Sequence, residues 1–387
     1  MQAAPLRYGL PVLFGGVLLL CVLDGLFHFF PTVPSVENRA PAQLPHFDTD
    51  DPDAYPRDWE AYFEDRFPWR GRFQRFNARL QRITNGRSPL PDLVVLGTDD
   101  WYYKGGLQLD IYRGKRRFSP AELAEVTATL SARRDSVAAL GGRYVVAVAP
   151  LKHHIYPGHL PDYVRPLNPD HATRQLYRAL DGRGVEYVDL HQALRTYADT
   201  AQQEDLYYRT DHHWTVKAGV VAAAAIQQRL APSHQRSTGA PPPYYYTSQP
   251  TDGMLLAQMA GRARKDQETF YTLHRHGGWW TEEVPRPDIV APADFPYPME
   301  YAKQRRQINP ELRRSLPSLF VTRESFGENL YLPLSEAYGT SFWLFDAWRH
   351  GLNLDDYRRE GGEVYLQLVW EGFLFNLLRE PAEDGRW

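Results

Sequence analysis

From Asp92 onward, short apolar runs alternate with segments of helical period, and no other feature of the chain narrows its fold so far. "DLVVLG" and "WYYKGG" read as a hairpin that turns at Thr98 to Asp100. A Ser-Pro cap signal then opens "SPAELAEVTATLSARRDSVAAL", whose apolar residues recur at helical intervals until Gly141 and Gly142. "RYVVAVAP" reads as a buried strand, "VEYVDL" as another beyond a helix around 170–181, and a long alanine-rich helix follows "DHHW". Residues 231–317, rich in proline and aromatics without a period, predict a long ordered excursion over the core. Alternation resumes in "SLFVTRESFGENLYLPLSEAYG", "TSFWLFDAW" and "EVYLQLVWEGFLFNLL". Parallel neighbours need a crossover, usually helical, and their strands are apolar throughout, so this order predicts an α/β fold with a parallel sheet flanked by helices on both faces.

The N-terminus carries a different constraint. Residues 9–30, "GLPVLFGGVLLLCVLDGLFHFF", have the length that crosses roughly 30 Å of hydrocarbon, interrupted only by Asp24 and His28. Arg7 precedes the run and the acidic "FDTDDPD" follows it, which by the positive-inside tendency puts residues 1–8 in the cytoplasm and the remainder outside. No convincing small-residue cleavage site follows, so an uncleaved single-pass transmembrane signal anchor, with the body outside the cytoplasm, is expected over the rival reading of a cleaved signal peptide. Residues 31–55 read as a Pro/Asp/Ala-rich linker, and 56–387 as the folded domain, opened by an aromatic helix on both sides of Pro68.

Composition excludes more than it assigns. Lys+Arg 44 against Asp+Glu 47 leaves a formal charge of −3, so no basic field argues for nucleic acid. Aromatics at 13% suit a carbohydrate-facing surface and an aromatic core equally. The single cysteine, Cys21, allows neither an internal disulfide nor a thiolate metal site. His153, His154, His159, His212 and His213 supply imidazoles, but adjacent histidines seldom face one centre and no HExxH-like pair is present, so no metal site and no cofactor are expected.

Chemistry concentrates at two places. In Asp211-His212-His213-Trp214-Thr215, Thr215 caps the Val216 to Leu230 helix and leaves the acid and histidines on the loop before it. Alternation along an extended segment puts Asp211 and His213 on one side and His212 on the other. A carboxylate two residues before an imidazole can accept from one ring nitrogen and leave the other free as a base. The second place is "VTRESFGENL", where a strand gives way to a helix at Ser325. A serine there stands at the carboxyl edge of the sheet, with N–H groups of the next turn able to stabilise an oxyanion and Gly327 permitting close backbone approach. The ordinary alternatives are a locally capping Asp211, satisfied core histidines and an N-cap serine.

Together these motifs resemble the AlgX/AlgJ-like, SGNH-hydrolase-like O-acetyltransferase family and the bacterial DHHW proteins. "RTDHHWT" upstream of a strand and "RESFG" turn carries the resemblance, supported by "FEDRFPWR", "VVLGTDDWYYKGG", "VAPLKHHIYPGHLP" and "VDLHQAL". The resemblance implies a flavodoxin-type sheet, with Ser325 as nucleophile, His213 as base, Asp211 as its orienter and Tyr331 at the substrate. It also implies a polysaccharide acceptor and a membrane-bound O-acyltransferase as acyl donor. Two departures stand out: Glu324 where the family has Asp before the nucleophile, and "TDGMLLAQMAG" for its Gly-Asp-Leu segment.

Overall fold

Asp24, the acid that interrupts the apolar N-terminal run, has partners within its own part of the fold. The computed structural model describes residues 4–27, 29–30, 42–46, 54–67, 69–70, 72–73, 76, 93–200, 205–230, 244–284, 304–346 and 349–378. It forms two compact units, residues 1–89 with 258–261 and residues 90–257 with 262–387. In the first, helix Ala4–Phe27 carries Asp24, whose carboxylate accepts from the Phe30 N–H at 2.8 Å and from Trp69 Nε1–H at 2.6 Å. These donors offset what burying that charge would otherwise cost. Helix Ala54–Arg66 follows the linker, most of which lies outside the described residues, as does most of the expected continuation past Pro68. Among the described residues no helix is long and apolar enough to cross a membrane.

The second unit begins with the predicted hairpin. Strands β1 (Val94–Leu96) and β2 (Tyr102–Lys104) pair antiparallel, Val94 opposite Lys104, across a turn in which Asp99 and Asp100 take positive φ of 54° and 59°. Aspartate tolerates that region better than most residues, because its short side chain can bond locally. Helix Pro120–Ala138 starts in a capping box, Ser119 accepting from the Glu122 N–H while Glu122 reaches back to the Ser119 N–H.

The main sheet is built from β3 (Arg143–Ala149), β4 (Glu186–Val188), β7 (Glu282–Glu283), β8 (Arg305–Ile308), β9 (Ser318–Arg323), β10 (Thr340–Phe345) and β11 (Val364–Trp370), while β5 (Tyr244–Asp252) and β6 (Gln267–Arg275) form a separate ribbon. Its order is β4-β3-β11-β9-β10-β8-β7. The first five strands run parallel, as expected. β8 joins β10 antiparallel and β7 joins β8 antiparallel, so the sheet is mixed and the expected parallel sheet is corrected. The 231–317 excursion is the reason: it returns β8 to pair along the outer edge of β10, whose backbone groups would otherwise lie open, and sets β7 outside β8.

All seven residues of β11 are buried, because helices cover both faces. The two-residue period sends Val145, Ala147, Leu366 and Leu368 toward the helices Leu190–Thr200 and Val216–Leu230, through Leu190, Leu194, Ala222 and Ile226. Tyr144, Val146, Val148 and Val369 face the other way, onto Val126 and Leu130 of Pro120–Ala138 and Leu176 and Leu180 of Ala172–Leu180. Burial of each such aliphatic side chain stabilises by about 1.5–3 kcal/mol relative to exposure.

Candidate active site

β9 leaves the sheet at Arg323, and the chain turns at once. Glu324 is extended, at φ −114°, and caps the 3₁₀ turn Ser325–Asn329 with its own carboxylate, Oε2 accepting from the Phe326 N–H at 2.8 Å. The Ser325 hydroxyl lies 3.3 Å from the same oxygen. Gly327 is required sterically, since a Cβ there would stand 2.8 Å from Arg323 Cβ and 2.4 Å from its Cδ. The Phe326 N–H is held by the Glu324 carboxylate and the Gly327 N–H by the Glu324 carbonyl at 3.1 Å. Those two donors are therefore committed inside the turn, which corrects the expectation that they face an oxyanion.

Burial pushes the Glu324 carboxyl up from its ordinary 4.5 to about 7, against the Phe326 N–H, His213 and Arg323, which favour its charge. A raised acid pKa means the folded state holds the proton more tightly than the unfolded chain. The stability this confers is complete below about pH 4.5 and is lost as pH rises through about 7. Glu324→Gln removes that loss. The unfolding free energy of the variant relative to wild type, followed by denaturant titration at each pH, should rise across this window by on the order of 3 kcal/mol at most. A difference that stays constant with pH refutes the assignment.

The DHHW loop meets this turn from the other side. Asp211 Oδ1 accepts from the backbone N–H groups of His212 and His213 at 2.5 and 3.1 Å, and lies 2.9 Å from His213 Nδ1. Oδ2 lies 3.3 Å from the Leu255 N–H. Such self-bonding folds the segment into turns and bends rather than an extended strand. His212 accordingly does not point away as alternation suggests; its Nδ1 is 3.0 Å from the same oxygen, its ring 3.9 Å from that of His213. Burial opposes charge on Asp211, but the two histidines hold its carboxyl well below the usual range. Burial drives His212 down to about 3, so its ring is neutral.

On its far side His213 Nε2 stands 2.9 Å from Ser325 Oγ. Carboxylate, imidazole and hydroxyl are thus in hydrogen-bond contact in that order, across 112 residues of sequence. A neutral imidazole so oriented can take the serine proton on Nε2 while its Nδ1–H donates to the carboxylate.

Residues that motif reading did not single out hold the two halves together. Trp214, fully buried, donates from Nε1 to the Phe326 carbonyl at 2.9 Å, and Asn329 Nδ2 donates to the Trp214 carbonyl at 2.9 Å. Gly219 lets the Val216–Leu230 helix close on the serine turn, since a Cβ there would lie 1.9 Å from the Asn329 carbonyl oxygen. Thr215 caps that helix as predicted, its Oγ1 lying 3.3 Å from the Lys217 N–H. From the excursion, Glu268 on β6 accepts from the Thr210 N–H and hydroxyl, both at 2.7 Å. Beneath the loop Lys152 points its ammonium at the carbonyls of Tyr102, Tyr208 and Arg209, each at 2.7 Å, and of Asp211 at 3.1 Å.

Tyr331 is not brought into this group. It starts helix Tyr331–Ser335, accepts from Arg305 Nη1 at 3.2 Å and stands edge-on to Trp343; among the described contacts none joins it to Ser325 or His213. A second cluster does form, at the carboxyl ends of β3, β4 and β11. There His154, His171 and His191 surround Glu371, beneath a cleft of about 630 Å³ that Ser325 and His213 do not line.

The fold and this geometry define a helix-flanked α/β domain with serine, histidine and aspartate aligned as in serine hydrolases. Residues 94–276 match the family described as "SGNH hydrolase-like domain, acetyltransferase AlgX", and the resemblance to the AlgX/AlgJ-like group holds. A curated relative, the "Probable alginate O-acetylase AlgJ" of Pseudomonas syringae pv. tomato, is 28% identical over 164 residues, 42% of this chain and 39% of its own. The chain thus spans about two fifths of that relative's length. Among solved structures, a DHHW family protein from Eubacterium siraeum superposes with a TM-score of 0.51 at 16% identity, covering 75% of this chain and 93% of that one. Bacillus cereus PatB1, solved with a sulfonyl adduct, gives 0.51 at 13% identity, covering 73% and 98%. At such identities these two speak to the fold alone.

Proposed function

We propose that this chain is a membrane-anchored, extracytoplasmic O-acyltransferase that moves an acetyl group onto a polysaccharide hydroxyl through an acyl-enzyme on Ser325. The observation that carries the reading is the pair of 2.9 Å contacts, Asp211 to His213 and His213 to Ser325. In the first half-reaction His213 Nε2 takes the Ser325 proton as Oγ bonds to the acyl carbon, and the imidazolium then returns the proton to the departing donor oxygen. In the second, a sugar hydroxyl gives its proton to Nε2 while its oxygen displaces Ser325 Oγ, which is reprotonated. Asp211 fixes the tautomer throughout and stays ionised.

Acetyl transfer is supported by the family matched over residues 94–276, and the polysaccharide acceptor by the alginate O-acetylase relative. Anchoring rests on the apolar run of residues 9–30 and on the charges that flank it. Outside the cytoplasm acetyl-CoA is not expected, so the donor is an acyl group presented by a membrane-bound O-acyltransferase. If water replaces the sugar, the same site is an esterase, and the product tells the two apart.

Brief incubation with an activated acetyl ester, quenching in acid and peptide mass analysis should find one acetyl group on the peptide that contains Ser325. Chasing with oligosaccharide should move that group to the sugar. Acetyl found only on other residues, or none while ester is consumed, removes the covalent mechanism.

A further inference from the structure

We propose that His154, His171, His191 and Glu371 form a binding site for one divalent transition-metal ion of the zinc class. The four come from separate elements at neighbouring strand ends. His154 lies on the short helix Lys152–Ile155 after β3, His171 at the N-cap of Ala172–Leu180, His191 in the first turn of Leu190–Thr200 after β4, and Glu371 directly after β11. One ligand atom from each lies within 4.8 Å of all the others. The Glu371 carboxylate is 3.5 Å from His154 Nε2, 3.2 Å from His171 Nδ1 and 2.9 Å from His191 Nε2. Nitrogen and oxygen donors bound at about 2.0–2.1 Å in a tetrahedron stand about 3.3–3.4 Å apart, so little movement would close them on an ion.

Hydrogen bonding alone does not account for the cluster. Glu371, with no exposed side-chain surface, already accepts from the Leu151 N–H at 2.9 Å, the Thr173 hydroxyl at 2.7 Å and His191 Nε2. His154 Nε2 and His171 Nδ1 are buried and face Glu371 Oε1 at 3.5 and 3.2 Å, but without the geometry of a hydrogen bond. Buried polar atoms without partners are rare, and two imidazole nitrogens converging on one carboxylate are what a metal would satisfy. Leu151 and Thr173 fix the carboxylate as outer-shell groups fix a ligand. Imidazole-rich sets with one carboxylate suit zinc, cobalt or nickel over magnesium or calcium, which take oxygen ligands. The three imidazole edges retain 11–12% exposure and line the cleft above, which gives the ion a way in from solvent. Adjacent histidines predict no metal site, whereas this set is assembled from histidines 17 to 37 residues apart in number and a glutamate 180 beyond His191.

The test uses untagged full-length chain, stripped with chelator and titrated with zinc or cobalt chloride. One equivalent should bind, with a visible cobalt spectrum of tetrahedral or five-coordinate strength and a melting temperature that rises with ion concentration. Paired His154→Ala and His171→Ala substitutions should abolish that equivalent. A folded His171→Cys variant loaded with cobalt should add a sulfur-to-metal charge-transfer band. No binding by the wild type overturns the proposal. So does an equivalent that survives the paired substitutions, which would place the ion at Asp211, His212 and His213 instead, or a folded cysteine variant whose cobalt spectrum lacks the band.

Discussion

Ser325→Ala is expected to lower acyl transfer by roughly three orders of magnitude or more, about 4 kcal/mol of transition-state stabilisation, with little change in fold. Truncating the hydroxyl removes one atom from a half-buried residue, and the geometry of its turn is held by Glu324, Gly327 and Trp214. His213→Ala should cost a similar factor, because without Nε2 at 2.9 Å the serine is a weak nucleophile at neutral pH. The double variant decides the mechanism. Groups that act as one unit fail together, so removing both should cost hardly more than removing either. Losses that multiply would mean the two residues act in separate steps. Residual activity near wild type in Ser325→Ala, measured on a small chromogenic acetyl ester, would mean another residue carries the acyl group.

The elements that periodicity describes were readable in advance: the hairpin with its Asp-Asp turn, the capped helix at Ser119, the strands of the parallel half-sheet, and the Val216–Leu230 helix with Thr215 at its mouth. Each depends on residues within about a dozen positions of one another, which a local pattern can hold. The triad residues were legible for another reason, since an acid, two histidines and a strand-end serine are scarce types in scarce places. What escaped was set by contacts between distant segments. Asn329 looks like an ordinary turn residue, and only the fold sets its amide against the Trp214 carbonyl. His191 passes as one polar position in "VDLHQAL", and Glu371 as one in "EVYLQLVWEGFLFNLL", until three strand ends bring them together. His212 was misdirected by assuming an extended backbone where the Asp211 side chain bends it. Pairing of β8 with β10, and of β7 with β8, hides in a Pro-rich stretch whose short strands leave no period.

Lys152→Met is expected to damage both stability and activity, although Lys152 touches neither Ser325 nor His213. Its ammonium is surrounded by the carbonyls of Tyr102, Tyr208, Arg209 and Asp211 at 2.7 to 3.1 Å and by the faces of Trp101 and Tyr103 at 4.6 and 5.0 Å. Burial by itself pushes the lysine pKa well down, while Asp211, Glu268 and Asp205 favour its charge. The geometry favours the ammonium: a neutral amine has two protons to offer four inward-facing carbonyls and would turn a lone pair toward them. Methionine fills the space of the stem and takes the charged donor from all four oxygens, of which the Arg209 carbonyl keeps the Tyr102 N–H at 2.8 Å. Each buried acceptor so abandoned costs about 1–3 kcal/mol, and because neighbours share the relaxation the total should be less than their sum, roughly 4 kcal/mol. For a unit of this size that corresponds to a fall in melting temperature of about 10 °C. Activity should fall further than stability does, because the loop that loses its tether carries Asp211 and His213, and a displacement of about 1 Å in such a pair costs on the order of a hundredfold. A variant that melts within about 2 °C of wild type and keeps its turnover would show that the backbone holds this loop without the lysine.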